Sequence, residues 1–144
     1  MSDAHTYATK LEWKETRKGT ISAEGLPSVE VATPPEFPGG IAGIWSPEHL
    51  FVAAAEVCLM TTFLAIAENS KLEFSAYSSE AVGTLEKTEE GFRITKIMIR
   101  PHVVVADEGL KDRATRIVEK AEHHCLVSNS MKTQIELDVT VSVA

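Results

Sequence analysis

Hydrophobic side chains at the start of the chain follow the two-residue spacing of strands. Tyr7, Leu11 and Trp13 occupy odd positions between charged residues, which predicts a half-buried strand. After a turn, two shorter segments around Ile21 and Val29 predict further strands. The first part of the chain is therefore expected to form a β-meander.

A long helix is predicted from Ser46 onward. Ser46 can accept a backbone N–H bond as a cap, Pro47 suits the first helical position, and Glu48 places a negative charge at the positive end of the helix dipole. From Leu50 to Ala67 only three residues interrupt the apolar sequence. Because no wide polar face is left for water, we expect a central helix that is mostly buried.

The next segment, residues 71–105, predicts a β-hairpin with its turn at residues 89–91. Along the second arm the apolar residues move from even positions such as Ile94 to odd positions such as Ile97. This change of phase predicts a bulge or a strand covered on both faces. Pro101 is expected to end the regular pairing.

The last part of the chain predicts a second helix and a final strand. Asp107 can cap a helix whose apolar residues recur at three- and four-residue steps, and every second residue from Ile135 to Val143 is apolar. Helices and strands are thus grouped rather than alternating. We predict an α+β fold with antiparallel sheets, a long buried central helix and a second helix.

Composition narrows the class of protein. A chain of 144 residues, 44% hydrophobic and 24% charged, fits one soluble domain over residues 1–144. A net charge of -7 without a basic stripe argues against a nucleic-acid partner. Residues 50–67 reach the lower length limit of a membrane span, but Glu56 and several alanines favour a core helix and no membrane. Residues 1–10 lack the pattern of a secretory signal, so we expect a cytoplasmic protein.

Two motifs surround the two cysteines. Ser-Pro-Glu-His-Leu-Phe at 46–51 leads to Ala-Ala-Ala-Glu-Val-Cys at 53–58, and Cys-Leu-Val-Ser-Asn stands at 125–129. A free cysteine is often only a small core residue, but two cysteines in a reducing compartment can also be a reactive pair. Together these motifs resemble the OsmC/Ohr family of thiol peroxidases. The resemblance implies an intertwined homodimer whose two central helices pack together, with both active sites at the subunit interface.

The resemblance also implies a reaction. The Cys58 thiolate would reduce an organic hydroperoxide to an alcohol and become a sulfenic acid, which Cys125 would resolve as a disulfide. A thiol is mostly protonated at neutral pH, so the thiolate needs stabilisation. No bound cofactor and no metal is expected, and an external dithiol reductant, of the lipoyl type or another small thiol, would reopen the disulfide.

In the family, the thiolate is stabilised by an arginine that the glutamate of the helix start holds. That glutamate matches Glu48, and the resemblance makes Arg17 the expected cation, with Lys14 and Lys18 as alternatives. A guanidinium bridges two anions better than an ammonium. Ten residues of helix span about 15 Å, so Glu48 and Cys58 of one chain cannot share one arginine. We therefore expect Glu48 of the partner subunit to complete the site.

Apolar residues near the helix start are expected to bind the substrate. They would favour alkyl or fatty-acyl hydroperoxides over hydrogen peroxide, because they desolvate a hydrocarbon tail. These residues are Phe51, Leu50, Trp45 and Phe37, the last in a loop rich in proline and glycine at residues 33–43.

Other interpretations remain open. His123, His124 and Cys125 with Cys58 or His102 could suggest zinc, but adjacent residues rarely face one metal and the spacing fits no known ligand pattern. Leu126 stands where the family usually has proline. The chain could therefore be a redox-inactive ligand-binding protein of the same fold. A third class is a thiol-dependent enzyme with another substrate, such as a thioesterase or disulfide reductase.

Overall fold

The protein is described here by a computed structural model that covers residues 4–144. The chain divides into two compact units, one ending at Leu50 and the other comprising Phe51–Ala144, and the prediction of a single domain stays a prediction. In residues 4–144 there are seven strands, three α-helices and one 3₁₀ turn. In chain order they are β1 (Lys10–Glu15), β2 (Lys18–Ser22), β3 (Val29–Ala32), α1 (Pro47–Asn69), β4 (Ala76–Thr88), β5 (Gly91–Val105), the 3₁₀ turn (Glu108–Leu110), α2 (Lys111–His123), α3 (Leu126–Asn129), β6 (Gln134–Leu137) and β7 (Thr140–Val143).

The first unit contains the predicted β-meander. β1 pairs antiparallel with β2, and β2 pairs antiparallel with β3. Thr16 and Arg17 make the turn between β1 and β2, since Glu15 pairs directly with Lys18. Thr16 has a positive φ of 48°, as tight turns between antiparallel strands require. The meander prediction is confirmed.

The prediction that the first strand is half-buried is wrong for the single chain. All six residues of β1 are exposed, and Leu11 and Trp13 are 69% and 74% exposed. Two-residue alternation marks a side that can be covered but does not say what covers it. Within the described part of the first unit, nothing covers these two side chains.

The start of α1 follows the sequence prediction. Ser46 is fully buried, and its hydroxyl oxygen accepts a hydrogen bond from the backbone N–H of His49 at 3.1 Å. The same oxygen lies 2.7 Å from Nδ1 of the His49 ring. Ser46 therefore caps the helix, and Pro47 is the first helical residue.

The expectation that this helix is mostly buried is also wrong for the single chain. α1 is long and apolar enough to cross a membrane, as is the core helix of many globular proteins, and 28% of its most apolar window is buried. Its buried residues lie along one side, whereas Val57 and Leu64 on the other side are 54% and 38% exposed. Because α1 is hydrophobic on all sides but packed on only one, an apolar stripe that includes Val57 and Leu64 stays exposed.

The second unit is built on the β4–β5 hairpin, which contains the predicted bulge. Leu85 pairs with Ile94, but the next residue towards the N-terminus, Thr84, pairs with Lys96. Thr95 is therefore the extra residue of β5. It brings Ile94 and Ile97, three residues apart, to the same side of the sheet, where both join the core.

The prediction of one continuous final strand is wrong, because β6 and β7 are separate. Both run parallel to β5 and keep one register, since Ile99 pairs with Leu137 and His102 pairs with Thr140. The gap faces Pro101, which has no N–H to donate. Pairing with β4 nevertheless continues past Pro101, so the proline does not end it as predicted. The sheet is mixed rather than purely antiparallel.

The core of the second unit lies between this sheet and the helices α1 and α2. Phe63 of α1 is at its centre, with ring centroids 5.2 Å from Phe74 and 5.1 Å from Tyr77. Asp107 accepts a hydrogen bond from the N–H of Gly109 at 2.9 Å, so it caps the 3₁₀ turn that leads into α2. This core thus contains residues of α1, which carries Cys58, and of α2, which leads to Cys125.

Candidate functional site

The two cysteines lie at different kinds of helix position. Cys58 is about three turns inside α1 and 9% exposed, whereas Cys125 is fully buried and precedes α3 as its cap residue. The N–H of Cys125 donates to the carbonyl of Glu122 at 3.1 Å, and its carbonyl accepts from the N–H of Asn129 at 3.0 Å. Cys125 therefore sits where α2 ends and α3 begins.

The sulfur of Cys58 is surrounded by hydrogen-bond donors. The thiol of Cys125 and the backbone N–H groups of Val127 and Leu126 all donate towards it. The hydroxyl of Thr62, one turn further along α1, lies 3.9 Å from the sulfur. The structure thus brings the two predicted cysteines together, and it adds three donors.

These contacts act on the pKa of Cys58 in opposite directions. Burial raises this pKa, but the hydrogen bonds from Cys125, Val127, Thr62 and Leu126 outweigh burial and bring the pKa below its ordinary value. A donor stabilises a thiolate because it points a partial positive charge at the negative sulfur. Cys58 is therefore the cysteine that ionises more easily.

Cys125 is shifted the other way. Burial raises its pKa, the hydroxyl and N–H of Ser128 lower it in part, and the neighbouring Cys58 raises it again. Of the two thiols, Cys58 therefore loses its proton more easily, and Cys125 keeps its proton more firmly. This asymmetry is what a nucleophilic thiolate with a waiting second thiol requires.

The sequence argument expected a cation to stabilise the Cys58 thiolate. Within one chain, hydrogen bonds lower the pKa instead, and they come from the first residues of α3 and from Thr62. Arg17, in the turn after β1, lines a cleft of about 360 Å³ in the first unit, together with Trp13 and Pro47. The role of Arg17 as activating cation stays a prediction.

The two alternative cations are engaged with carboxylates. Lys14 forms a 2.6 Å ion pair with Glu12, and Lys18 lies 3.4 Å from both Glu15 and Glu30. Hydrogen bonds to Glu30 and Glu15 raise the pKa of Lys18. Among residues 4–144, Arg17 forms no ion pair, so of the three candidates it is the one whose charge is not neutralised by a neighbour.

Glu48 lies at the start of α1, and one of its two carboxylate oxygens lacks a hydrogen-bond partner in the described part of the chain. Its Oε1 is buried and has no hydrogen-bond partner among the residues that the structure describes. Within this part of the chain it does not pair with Arg17. A buried carboxylate oxygen without a partner is costly, so this oxygen marks a place where a donor would be stabilising.

The expected substrate residues are distributed over both units. Trp45 is 51% exposed and lines a cleft of about 310 Å³ in the first unit, next to His49. Phe51 is 37% exposed and lines a cleft of about 340 Å³ in the second unit. Leu50 is 40% exposed, and Phe37 lies half-buried in the turn of the loop. A pocket formed by all four stays a prediction.

The histidines are occupied by other contacts. Nε2 of His102 lies 2.7 Å from the hydroxyl of Ser142, and the rings of His123 and His124 contact each other edge to face. Over residues 4–144, no three His, Cys, Asp or Glu side chains are grouped so that they could hold a metal ion. The structure therefore places these histidines away from a shared ligand set.

Three further groups were not singled out from the sequence: Glu122 and Ser128, close to Cys125 along the chain, and Tyr77, on which Glu122 acts. Burial raises the pKa of Glu122, which the Ser128 hydroxyl lowers in part. Burial, and then the negative charges of Glu56 and Glu122, raise the pKa of Tyr77 to about 12. One signal was visible, since Glu122 follows Val118 by four residues and thus places an acid on the apolar stripe of α2.

With the site described, comparison with known proteins gives its family. A family model described as OsmC-like protein matches residues 40–140. The chain belongs to the OsmC-like protein family. The fold class and the resemblance inferred from the sequence motifs are thereby confirmed.

Several similar proteins cover almost the whole chain. The uncharacterized protein YmaD of Bacillus subtilis is 31% identical over 148 residues, which covers 99% of this chain and 97% of YmaD. An OsmC-like protein of unknown function from Vibrio cholerae has the same fold, with a TM-score of 0.85, 24% identity, and coverage of 94% of this chain and 99% of that chain. An organic hydroperoxide resistance protein OsmC from Legionella pneumophila gives a TM-score of 0.77 and 25% identity, and covers 98% of this chain and 99% of its own.

Proposed function

We propose that this OsmC-like protein is a thiol peroxidase that reduces organic hydroperoxides to alcohols. The observation that carries the proposal is the asymmetric cysteine pair, in which Cys58 has a lowered pKa and Cys125 donates a hydrogen bond to it. The similarity to a Legionella organic hydroperoxide resistance protein supports the same class of substrate. A redox role is also what membership of this family supports.

Within the protein, the bonds that form and break in the catalytic cycle are those of the Cys58 and Cys125 sulfurs. The Cys58 thiolate attacks the distal oxygen of the hydroperoxide, the O–O bond breaks, and the alkoxide takes a proton and leaves as the alcohol. Cys58 is then a sulfenic acid. The sulfur of Cys125 attacks Cys58, the S–O bond breaks, and water leaves as the disulfide forms. An external dithiol, of the lipoyl type or another small thiol, reduces this disulfide, and no bound cofactor takes part.

The functional form in this proposal is a homodimer. The uncovered apolar stripe of α1, with Val57 and Leu64, is what a second copy of the helix would bury. In such a dimer the unpartnered Glu48 carboxylate of one chain holds Arg17 and completes the Cys58 site of the other chain. This adds a cation to the hydrogen bonds that already lower the pKa of Cys58.

The proposal also includes a substrate class and a cellular location. Phe51, Leu50, Trp45 and Phe37 would contact the hydrocarbon part of an alkyl or fatty-acyl hydroperoxide. The protein acts in the cytoplasm, where thiol reductants keep the cysteine pair cycling. Neither nucleic acid nor membrane is a partner in this proposal.

The test is peroxide consumption with thiol counting. Reduced protein is mixed with cumene hydroperoxide and dihydrolipoamide, and peroxide loss is compared for the unchanged chain, Cys58→Ser and Cys125→Ser. We expect the unchanged chain to turn over and to lose two free thiols per chain without reductant. Cys58→Ser should consume no peroxide, and Cys125→Ser should form a sulfenic acid that dimedone traps. Peroxide-independent thioester hydrolysis, or retention of both thiols, would contradict the proposal.

A further inference from the structure

The side chain of Arg17 lies directly on the backbone of Gly39 in the first unit. A Cβ atom added to Gly39 would be 3.1 Å from Cγ, 3.2 Å from Nε and 3.6 Å from Cζ of Arg17. Carbon atoms pack best at about 3.5–4.0 Å, so the first two contacts would be too short. The arginine stem and the base of its guanidinium therefore occupy the space that any side chain at position 39 would need.

The turn that carries Arg17 is held by two hydrogen bonds. The indole N–H of Trp13 donates to the carbonyl of Thr16 at 3.0 Å, which ties the turn back onto β1. The N–H of Thr33 donates to the carbonyl of Arg17 at 3.3 Å. The second bond joins the turn to the loop at residues 33–43. Arg17 and this loop are thus linked through the backbone as well as through the contact at Gly39.

The segment that carries Gly39 is closed on itself. The N–H of Ile41 donates to the carbonyl of Thr33 at 2.9 Å, which joins the two ends of the loop. Inside it, Gly40 lies so close to Pro34 that an added Cβ atom would collide with the proline carbonyl oxygen. The backbone of the loop is therefore tightly packed. Gly39 presents a fixed surface to the arginine.

Packing on this surface gives Arg17 its direction. Arg17 is exposed, and among residues 4–144 its guanidinium forms no ion pair. A long exposed side chain without a charged partner keeps most of its rotamer freedom, because fixing it costs entropy. Contact with Gly39 along the stem removes part of that freedom before any partner arrives. A cation held in place in this way loses less entropy when it pairs with an anion.

We propose that Gly39 is a positioning residue, whose bare backbone holds the Arg17 guanidinium in the direction that the Cys58 site needs. This inference rests on the proposed function, in which Arg17 is the cation of that site. Gly39 touches no reacting atom and acts through Arg17 alone. Stabilisation of a thiolate by a cation depends on where the cation lies, so a small displacement of the guanidinium slows the reaction.

The test variants add a side chain at position 39, and the chain offers a close control. Gly39 has a φ of 77°, which strains an alanine whatever the space around it. Gly25 has a φ of 78°, but a Cβ atom there would meet nothing within 4 Å. Gly25→Ala therefore carries the same backbone strain as Gly39→Ala without displacing Arg17. Gly39→Asn and Gly25→Asn form a second pair with less strain, because asparagine adopts positive φ more readily.

The first measurement is the order of the Arg17 side chain in the reduced full-length protein. The heteronuclear nuclear Overhauser effect of the Arg17 Nε–H reports motion on the picosecond to nanosecond timescale, and loss of the signal in Arg17→Lys assigns it. We expect a high value in the unchanged chain and in both Gly25 variants, and a clearly lower value in both Gly39 variants. Equal values in the Gly39 and Gly25 variants overturn the inference.

The second measurement is the rate at which Cys58 of the reduced protein reacts with cumene hydroperoxide. Gly39→Ala should slow this step by about tenfold, and Gly25→Ala should leave it unchanged. In an Arg17→Ala background, Gly39→Ala should slow it no further, because the arginine through which Gly39 acts is gone. Equal slowing in both backgrounds would assign the effect to the loop itself and overturn the inference.

Arg17→Ala alone separates these outcomes from failure of the proposed function. If this variant keeps the full rate, or if the unchanged chain consumes no peroxide, the proposed role of Arg17 fails. The order of the Nε–H then decides the inference, which a lower value in Gly39→Ala supports and an unchanged value overturns. If Arg17→Ala is slow but Gly39→Ala reacts as fast as Gly25→Ala, the proposed function stands and the inference is overturned.

Discussion

The backbone N–H of Leu126, the residue that directly follows the second cysteine, is one of the groups that lower the pKa of Cys58. Members of the family resembled by the sequence usually carry proline at this point, and proline has no N–H. What looked like a departure from the motif therefore gives this chain an additional donor to its reactive sulfur. Leu126 itself is 71% exposed, so its side chain is not what the site uses.

Replacing Leu126 with proline should raise the pKa of Cys58. Proline suits the first position of a helix, so α3 should still form, but one donor to the thiolate is lost. The rate of alkylation by iodoacetamide, followed against pH, gives the midpoint of ionisation. Leu126→Ala keeps the N–H and is the matched control. Equal midpoints for Leu126→Pro and Leu126→Ala would show that this N–H does not stabilise the thiolate.

An aspartate at Val57 should prevent dimer formation. Val57 is 54% exposed on the apolar stripe of α1, and a second copy of the helix would have to bury the new charge. Light scattering coupled to size exclusion should show a dimer for the unchanged chain and a monomer for Val57→Asp. Val82→Asp changes a valine of equal exposure, 55%, on β4 and should leave the dimer intact. A Val57→Asp dimer would place the interface elsewhere.

Glu122→Gln should stabilise the folded protein at neutral pH. Because the pKa of Glu122 is raised by burial, the folded state holds this proton more tightly than the unfolded state does. Its favourable effect is complete below the unfolded pKa of about 4.3 and is lost as pH rises through the folded pKa. Urea unfolding at pH 7 and pH 4 should therefore show a larger gain for Glu122→Gln at pH 7. An equal difference at both values would contradict the raised pKa.

An alanine at Gly83 should destabilise the second unit. A Cβ atom there would lie 2.5 Å from Cγ2 of Val52, a contact too short for either backbone to accept without movement. Overpacking of this kind costs about 1–3 kcal/mol, which urea unfolding measures. The double variant Gly83→Ala with Val52→Ala removes the clashing methyl and should recover part of the loss. If Gly83→Ala alone is neutral, α1 and β4 are not held as closely as described.

Patterns within one segment were predictable from the sequence. The cap at Ser46 and the bulge in β5 both leave a local signature, the first in residue type and the second in the phase of Ile94 and Ile97. The cysteine pair was reached by resemblance, since nothing near Cys58 indicates Cys125 as its neighbour.

What could not be predicted depends on a second segment. The break between β6 and β7 is caused by Pro101 on another strand, and the parallel pairing is equally remote in sequence. The donors of α3 were missed because only side-chain charges were considered as partners for the thiolate of Cys58. The exposure of Trp13 and Val57 was missed because an apolar pattern shows what can be buried and not by which surface.

The extra residue at Thr95 has a consequence for how the hairpin finds its alignment. It divides β4 and β5 into two halves whose inward-facing positions are out of phase with each other. Sliding one arm by a single residue would turn side chains such as Ile97 outward, and sliding by two would move the bulge away from the position that puts Ile94 inward. The bulge at Thr95 therefore fixes the register in which β4 and β5, the two longest strands, pair.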